Sequence, residues 1–176
     1  LADVVAGVVE VARLSFPDHF EDRACFENRL ALYPRGCFVL TEGPQGPVRG
    51  YLIAYPWRAG SAPALNTVIE GLPADADLIY LHDLALHPQA RGGGATAAVV
   101  DRLVDQAMED GWPAVALVAV HDAAGSWARH GLAPQAPPGL AAQPPRPAPD
   151  ARPPPPPPRP APPRADAATI ARPPPP

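Results

Sequence analysis

Residues 84–96 read Leu-Ala-Leu-His-Pro-Gln-Ala-Arg-Gly-Gly-Gly-Ala-Thr, and the three consecutive glycines, Gly92, Gly93 and Gly94, are their chemically telling part. Without a Cβ, glycine lets successive backbone N–H groups converge on an anion. A helix starting directly afterwards adds unpaired N–H groups and the positive end of its dipole. Arg91 brings a cation to the mouth of the turn. A pyrophosphate suits this arrangement, and a tight turn without a ligand is the plainer alternative. Two common nucleotide patterns are excluded. Gly-x-Gly-x-x-Gly fails because Ala97 stands at its last position, and a phosphate loop ending Gly-Lys-Ser/Thr fails because the chain has no lysine.

Just upstream lie His82 and Asp83, with His87 at the end of the same apolar run. An imidazole, with an unperturbed pKa of about 6.5, accepts a proton at neutral pH directly or through water. His82 is therefore read as a base or water relay, against a buried, hydrogen-bonded structural histidine. Asp83 is a second candidate base or an orienting group, and His87 a rim residue. No metal-ligating set is expected. Uniform alternation would put Tyr80, His82 and Leu84 on one strand face, with Leu81, Asp83 and Ala85 on the other.

These residues need elements to hold them. Leu78–Leu86 reads as a strand stopped by Pro88, Ala95–Asp110 as an amphipathic helix, and Ala114–Val120 as a continuous apolar strand. Strand, glycine turn, helix and strand make a β-α-β crossover with a parallel pair. Ahead of it, Asp3–Leu14 and about Glu21–Leu32 read as helices, the second ending before Pro34. Gly36–Thr41 and Val48–Tyr55 read as an antiparallel hairpin, with Tyr51, Tyr55 and Trp57 on one face, either an aromatic wall for a substrate or ordinary core or rim packing. The apolar piece Leu65–Leu72 fits a strand or a helical turn equally. About Ala123–His130 reads as a last short helix capped by Gly131.

Composition divides the chain. Nine of its 29 prolines lie in residues 1–133 and 20 in residues 134–176. A single domain over 1–133 and a disordered proline-rich appendage over 134–176 are expected, because proline removes a donor and fixes φ. The first 133 residues carry 9 arginines against 16 acids, which argues against binding a nucleic-acid backbone. No apolar run approaches the ~20 residues needed to span a bilayer, and no signal peptide is evident, so a cytoplasmic location is expected. Cys25 and Cys37 are too few for a disulfide scaffold.

Gln89-Ala-Arg91-Gly92-Gly93-Gly94 resembles the Gln/Arg-x-x-Gly-x-Gly/Ala signature of the GNAT acetyltransferase superfamily, placed after a Leu-x-Leu strand and opening a helix. Trp127-Ala-Arg-His-Gly131-Leu132 resembles that family's closing Tyr/Trp-x-x-x-Gly-Phe motif. The resemblance covers about residues 2–132. It implies an α/β (α+β) fold, a mixed central sheet flanked by helices, and acetyl-CoA as cosubstrate for direct acetyl transfer to a primary amine of a small molecule or a protein.

By the same resemblance, the backbone of Leu84, Ala85 and Leu86 pairs with the pantetheine arm, and an amide near Leu86 polarises the thioester carbonyl. Gln89, Arg91, Gly92, Gly93, Gly94, Ala95 and Thr96 hold the pyrophosphate, and His82 matches the position of the base. A tyrosine that usually protonates the leaving thiolate is replaced by Trp127, whose indole N–H is not a useful acid. A homodimer is one open arrangement; no nucleic-acid or membrane partner is expected. The family also continues past this motif with two strands that wall the acceptor site. Residues 134–176 are expected to supply none, as an out-of-frame reading of GC-rich DNA would produce. A catalytically weak or inactive acyl-CoA-binding protein is therefore the alternative to an active enzyme.

Overall fold

The computed structural model describes residues 2–19, 21–119, 127, 133–134 and 168–172. Two helices come first, α1 (Ala2–Ser15) and α2 (Arg23–Leu32), then the strands β1 (Cys37–Thr41), β2 (Val48–Trp57) and β3 (Leu78–Leu86). Helix α3 (Ala95–Glu109) leads to β4 (Val115–Ala119), and β5 (Ala133–Pro134) and β6 (Ala168–Arg172) complete a sheet ordered β1-β2-β3-β4-β6-β5. Among the described strands only β3 and β4 run parallel, as a crossover through α3 requires.

The sheet is buried from both sides. Val5, Val8, Val11 and Ala12 of α1 and Phe26 of α2 pack with Tyr51, Ile53 and Tyr55 of β2 on one face. Val100, Leu103, Val104 and Ala107 of α3 pack with Leu52, Ala54, Ile79 and Leu81 on the other. The spacing of apolar residues four and three apart in α3 supplies that stripe. Tyr51, Tyr55 and Trp57 do share a face, but Tyr51 and Tyr55 are fully packed and Trp57 is half-buried against the same core. They form core rather than an open wall.

Strand β2 runs through Pro56 to Trp57, past the expected end at Tyr55. The reason is local: β1 pairs with β2 only as far as Ile53, so the missing N–H of Pro56 faces no second neighbour strand. Helix α2 begins at Arg23, leaving Glu21 and Asp22 in the preceding loop with Asp22 extended as N-cap (φ −68°, ψ 154°). Leu65–Leu72 forms neither strand nor helix. The expected helix at Ala123–His130 falls outside the described residues except for Trp127, which is helical and packs on the α3 side of the sheet.

The expectation that residues 134–176 supply no strand is corrected by β6, which pairs antiparallel with β4 from Val115↔Arg172 to Ala119↔Ala168. Residues 164–172 are the longest proline-free stretch of that segment, so their N–H groups are available to a ladder. The two-residue β5, which contains Pro134, lies at the sheet edge, where proline is tolerated. The rest of 134–176 lies outside the described residues.

Candidate active site

The site is built where β3 stops behaving as an ordinary central strand. On one edge it pairs with β2 along its whole length, from Trp57↔Leu78 to Gly50↔Leu86. On the other it pairs with β4 only at Ile79↔Val115, Tyr80↔Ala116 and Leu81↔Leu117. Val118 and Ala119 of β4 pair with β6 but not with β3, so among the described residues the two parallel strands part after Leu81. The backbone of Leu84, Ala85 and Leu86 therefore lies along an edge that no described strand covers.

A β-bulge sits at the same point. Ile53 pairs with Asp83 and the next residue, Ala54, with Leu81, so His82 is an extra residue opposite β2. The bulge breaks the expected alternation. Leu84 lies on the α3 face with Leu81, while Asp83 and Ala85 join Tyr80 and His82 on the face of α1 and α2. Two adjacent polar residues thus enter one face.

His82 is held from across the sheet. Its Nε2 lies 2.7 Å from Oε2 of Glu21, and the two side chains are only 6% and 3% exposed. Glu21 Oε1 accepts the Asn66 backbone N–H at 2.9 Å and lies 3.7 Å from the Arg29 guanidinium. Burial alone would raise the Glu21 carboxyl. The hydrogen bond and charge of His82, with Arg29 and the Asn66 amide, outweigh it and bring the group below its ordinary value. With Nε2–H donating to Glu21, Nδ1 is the acceptor nitrogen of the ring, and it is buried with no hydrogen-bond partner among the described residues.

Asp83 accepts the Tyr51 hydroxyl at 2.5 Å. Burial pushes its carboxyl up, only partly countered by Tyr51 and by the charge of His82. Burial and the Asp83 charge likewise raise the Tyr51 phenol. Tyr55 completes the surroundings, its ring centroid 5.5 Å from that of His82.

The glycine turn follows the free edge directly. One short 3-10 turn, Pro88–Ala90, is closed by the His87 ring, whose Nδ1 accepts the Gln89 N–H at 3.3 Å. Arg91 folds back to donate from Nε to the Leu86 carbonyl at 3.3 Å. Gly92 (φ +82°) and Gly94 (φ +78°) take left-handed conformations, and Gly94 caps α3. The first α3 bond runs from Ala98 N–H to the Gly94 carbonyl at 3.1 Å, and no described backbone group pairs with the N–H groups of residues 92–97. A Cβ built on Gly92, Gly93 or Gly94 would meet nothing within 4 Å. Open space above unpaired N–H groups at a helix start is an anion cradle.

The sequence profile of the acetyltransferase (GNAT) family matches residues 6–132. The chain belongs to that family. No curated protein sequence matches it. Among solved structures, the GNAT-fold chain is similar to one in the NatC complex bound to Gag peptide and CoA, with 12% identity and a TM-score of 0.62 over 98% of this chain and 92% of that one. It is also similar to Ard1 from Thermoplasma volcanium (13%, TM-score 0.63, 98% and 92%). N-acetylglutamate synthase from Neisseria gonorrhoeae, complexed with coenzyme A and N-acetyl-glutamate, matches at 14% identity and a TM-score of 0.63, over 99% of this chain and 33% of its own. These likenesses show the fold, and family membership makes this GNAT protein an acetyltransferase.

The predicted His82, Leu84, Ala85, Leu86, Gln89, Arg91, Gly92, Gly93, Gly94, Ala95 and Thr96 all fall along one path from the bulge to the start of α3. Glu21 was not legible as a partner of His82, since 61 residues separate them. Arg29 and Asn66 were missed for the same reason. Among the described residues, no helix is long and apolar enough to cross a membrane.

Proposed function

We propose that this GNAT protein is a cytoplasmic N-acetyltransferase that uses acetyl-CoA and passes the acetyl group directly to a primary amine of a small molecule or a protein. The observation that carries the reading is the parting of β3 from β4 at the His82 bulge, with the glycine cradle at the end of the freed edge. The residues present suit the cosubstrate. The cradle of Gly92, Gly93, Gly94, Ala95 and Thr96, with Gln89 and Arg91 at its rim, offers N–H groups and a cation to a pyrophosphate. The uncovered edge at Leu84, Ala85 and Leu86 offers backbone groups to the amide-bearing arm.

When bound, the cosubstrate supplies an activated acyl thioester. An amide near Leu86 donates toward the carbonyl oxygen as charge grows there. His82, held through Nε2 by Glu21, takes the amine proton at Nδ1, directly or through a water. Such a positioned base contributes on the order of 10²–10⁴-fold. Tyr51 and Asp83 hold the strand beside it.

Calorimetric titration with CoA and acetyl-CoA tests the first half. The intact chain is expected to bind, and Gly93→Glu, which places a carboxylate in the cradle, to lose binding. Absence of binding to either protein at millimolar ligand overturns the reading. Release of free thiol from acetyl-CoA across a panel of amines tests the second half, and binding without any release selects the alternative of an acyl-CoA-binding protein without turnover.

A further inference from the structure

We propose that Asn66 is a positioning residue for His82: its left-handed turn delivers a backbone N–H to the Glu21 carboxylate that holds the imidazole. This deepens the reading above and rests on His82 as the group that takes the amine proton. Among the described residues, Asn66 is the one non-glycine with positive φ (54°). Asparagine tolerates that region better than most L residues, but the conformation still needs something to hold it.

The holding groups are on the page. The Asp22 N–H donates to Asn66 Oδ1 at 2.7 Å, and Asn66 Nδ2 donates back to Asp22 Oδ2 at 2.9 Å. The Cys25 thiol lies 3.4 Å from the same Oδ1. Three residues on, Asn28 makes a second reciprocal pair, donating to the Ile69 carbonyl and accepting the Ile69 N–H, both at 3.0 Å. Leu65 and Val68 are exposed, while Ile69, gripped by Asn28, is buried in the core, so the segment stays anchored there when the Asn66 side chain is removed and the left-handed φ at residue 66 decides where its N–H points.

The side chain of Asn66 thus grips the start of α2 while its N–H reaches inward to Glu21 Oε1 at 2.9 Å. That bond matters because Glu21 uses its other oxygen on His82. Fixing Oε1 fixes the plane of the carboxylate, hence the direction of Oε2 and the ring nitrogen that carries the proton. Arg29 faces Glu21 at 3.7 Å and cannot fix the plane alone at that distance.

The test compares Asn66→Ala with Asn66→Gly in the full chain. Alanine loses the side-chain grip and resists the left-handed turn; glycine loses the grip but keeps the turn available. The first readout is the His82 ring ¹⁵N spectrum at alkaline pH, which reports the tautomer without any need for turnover. The wild-type chain is expected to hold the proton on Nε2, Asn66→Ala to mix the two tautomers, and Asn66→Gly to stay near wild type. In thiol-release assays, Asn66→Ala is expected to lower kcat on the order of 10–100-fold with the KM for acetyl-CoA little changed, and glycine to restore most of it.

Equal effects of alanine and glycine, or an unchanged ring spectrum in a folded Asn66→Ala, overturn the proposal. Should Asn66→Ala not fold, hydrogen exchange of the wild-type Asn66 amide decides: slow exchange, accelerated by Glu21→Ala, is expected, and an amide that exchanges as freely as an exposed one overturns it. A wild-type chain that turns over no amine, while its ring spectrum behaves as stated, removes the acetyltransferase reading and leaves the positioning role standing.

Discussion

The two halves of β3 differ in their neighbours and in the residues they carry. Leu78, Ile79, Tyr80 and Leu81 are 7%, 1%, 5% and 3% exposed, and from Ile79 onward they are laddered to both neighbours. From Asp83 to Leu86 the same strand keeps β2 and loses β4, and His82 and Asp83 give it a buried imidazole and a half-buried carboxyl. A bare sheet edge invites unwanted pairing. Here it is short, ends at a helix start, and lies beside a polar cluster that is itself tied down. Apolar burial is concentrated in the first half and the polar groups of the candidate site in the second, and the bulge at His82 is the joint between them.

Breaking the second half should cost activity and little binding. His82→Ala is expected to lower the rate of thiol release by about 10²–10⁴-fold, while the affinity for CoA, which the proposed function assigns to the turn and the Leu84–Leu86 edge, stays within a few-fold in calorimetry. Equal losses of rate and of CoA affinity would show that the halves are not separable in this way. Breaking the first half should do the opposite. Leu81→Ala removes a buried side chain facing α3 and is expected to cost about 2–5 kcal/mol in urea unfolding, with kcat per folded molecule unchanged. A drop in kcat as large as that of His82→Ala would deny the division.

That division was only partly visible in the chain. Leu78–Leu86 was legible because Pro88 stops a run filled mostly by apolar residues, four of them leucine, and α3 was legible because its apolar stripe has helical period. The bulge was not, since nothing in Tyr80-Leu-His-Asp-Leu84 marks one residue as extra. Its cause is the register that β2 imposes on β3, a tertiary fact. The uniform alternation held through His82 and failed after the bulge, at Asp83, Leu84 and Ala85. The glycine cradle was legible because its residues are contiguous. Glu21, Asn66 and His82 were not legible as a group, because they meet only when the α1–α2 loop and the segment after β2 close over the sheet. Strand β6 was obscured by the prolines around it, although its own five residues contain none.

A smaller effect separates the glycines within the cradle. Gly94→Ala forces a Cβ into a left-handed cap (φ +78°) and is expected to cost about 1–2 kcal/mol. Gly93→Ala, which has no left-handed φ and open space around it, should change stability by no more than a few tenths of a kcal/mol. Thermal unfolding of the pair checks this, and an equal loss in both would mean that crowding rather than backbone conformation governs the turn.

The smallest effect is one of sign, and it divides the two carboxyls of the site. Glu21 is held below its ordinary value of 4.5 despite burial, so its ionised form favours the fold. That contribution is complete above the unfolded-state value and is lost as pH falls through the lower, folded one. Asp83 is raised above its ordinary value of 3.8 by burial, so its protonated form favours the fold. Its contribution is complete below the unfolded-state value and is lost as pH rises through the higher, folded one. One carboxyl therefore weakens the protein on acidification and the other on neutralisation. Asp83→Asn keeps an acceptor for the Tyr51 hydroxyl and removes only the titration, so its urea midpoint should fall less than the wild type's as pH rises above about 4. Glu21→Gln should instead flatten the loss below that point. Midpoints measured across the acid range decide it: parallel curves for wild type and Asp83→Asn would mean that the Asp83 proton is held equally in the folded and unfolded chain, and that the carboxyl beside His82 is no different electrostatically from one in water.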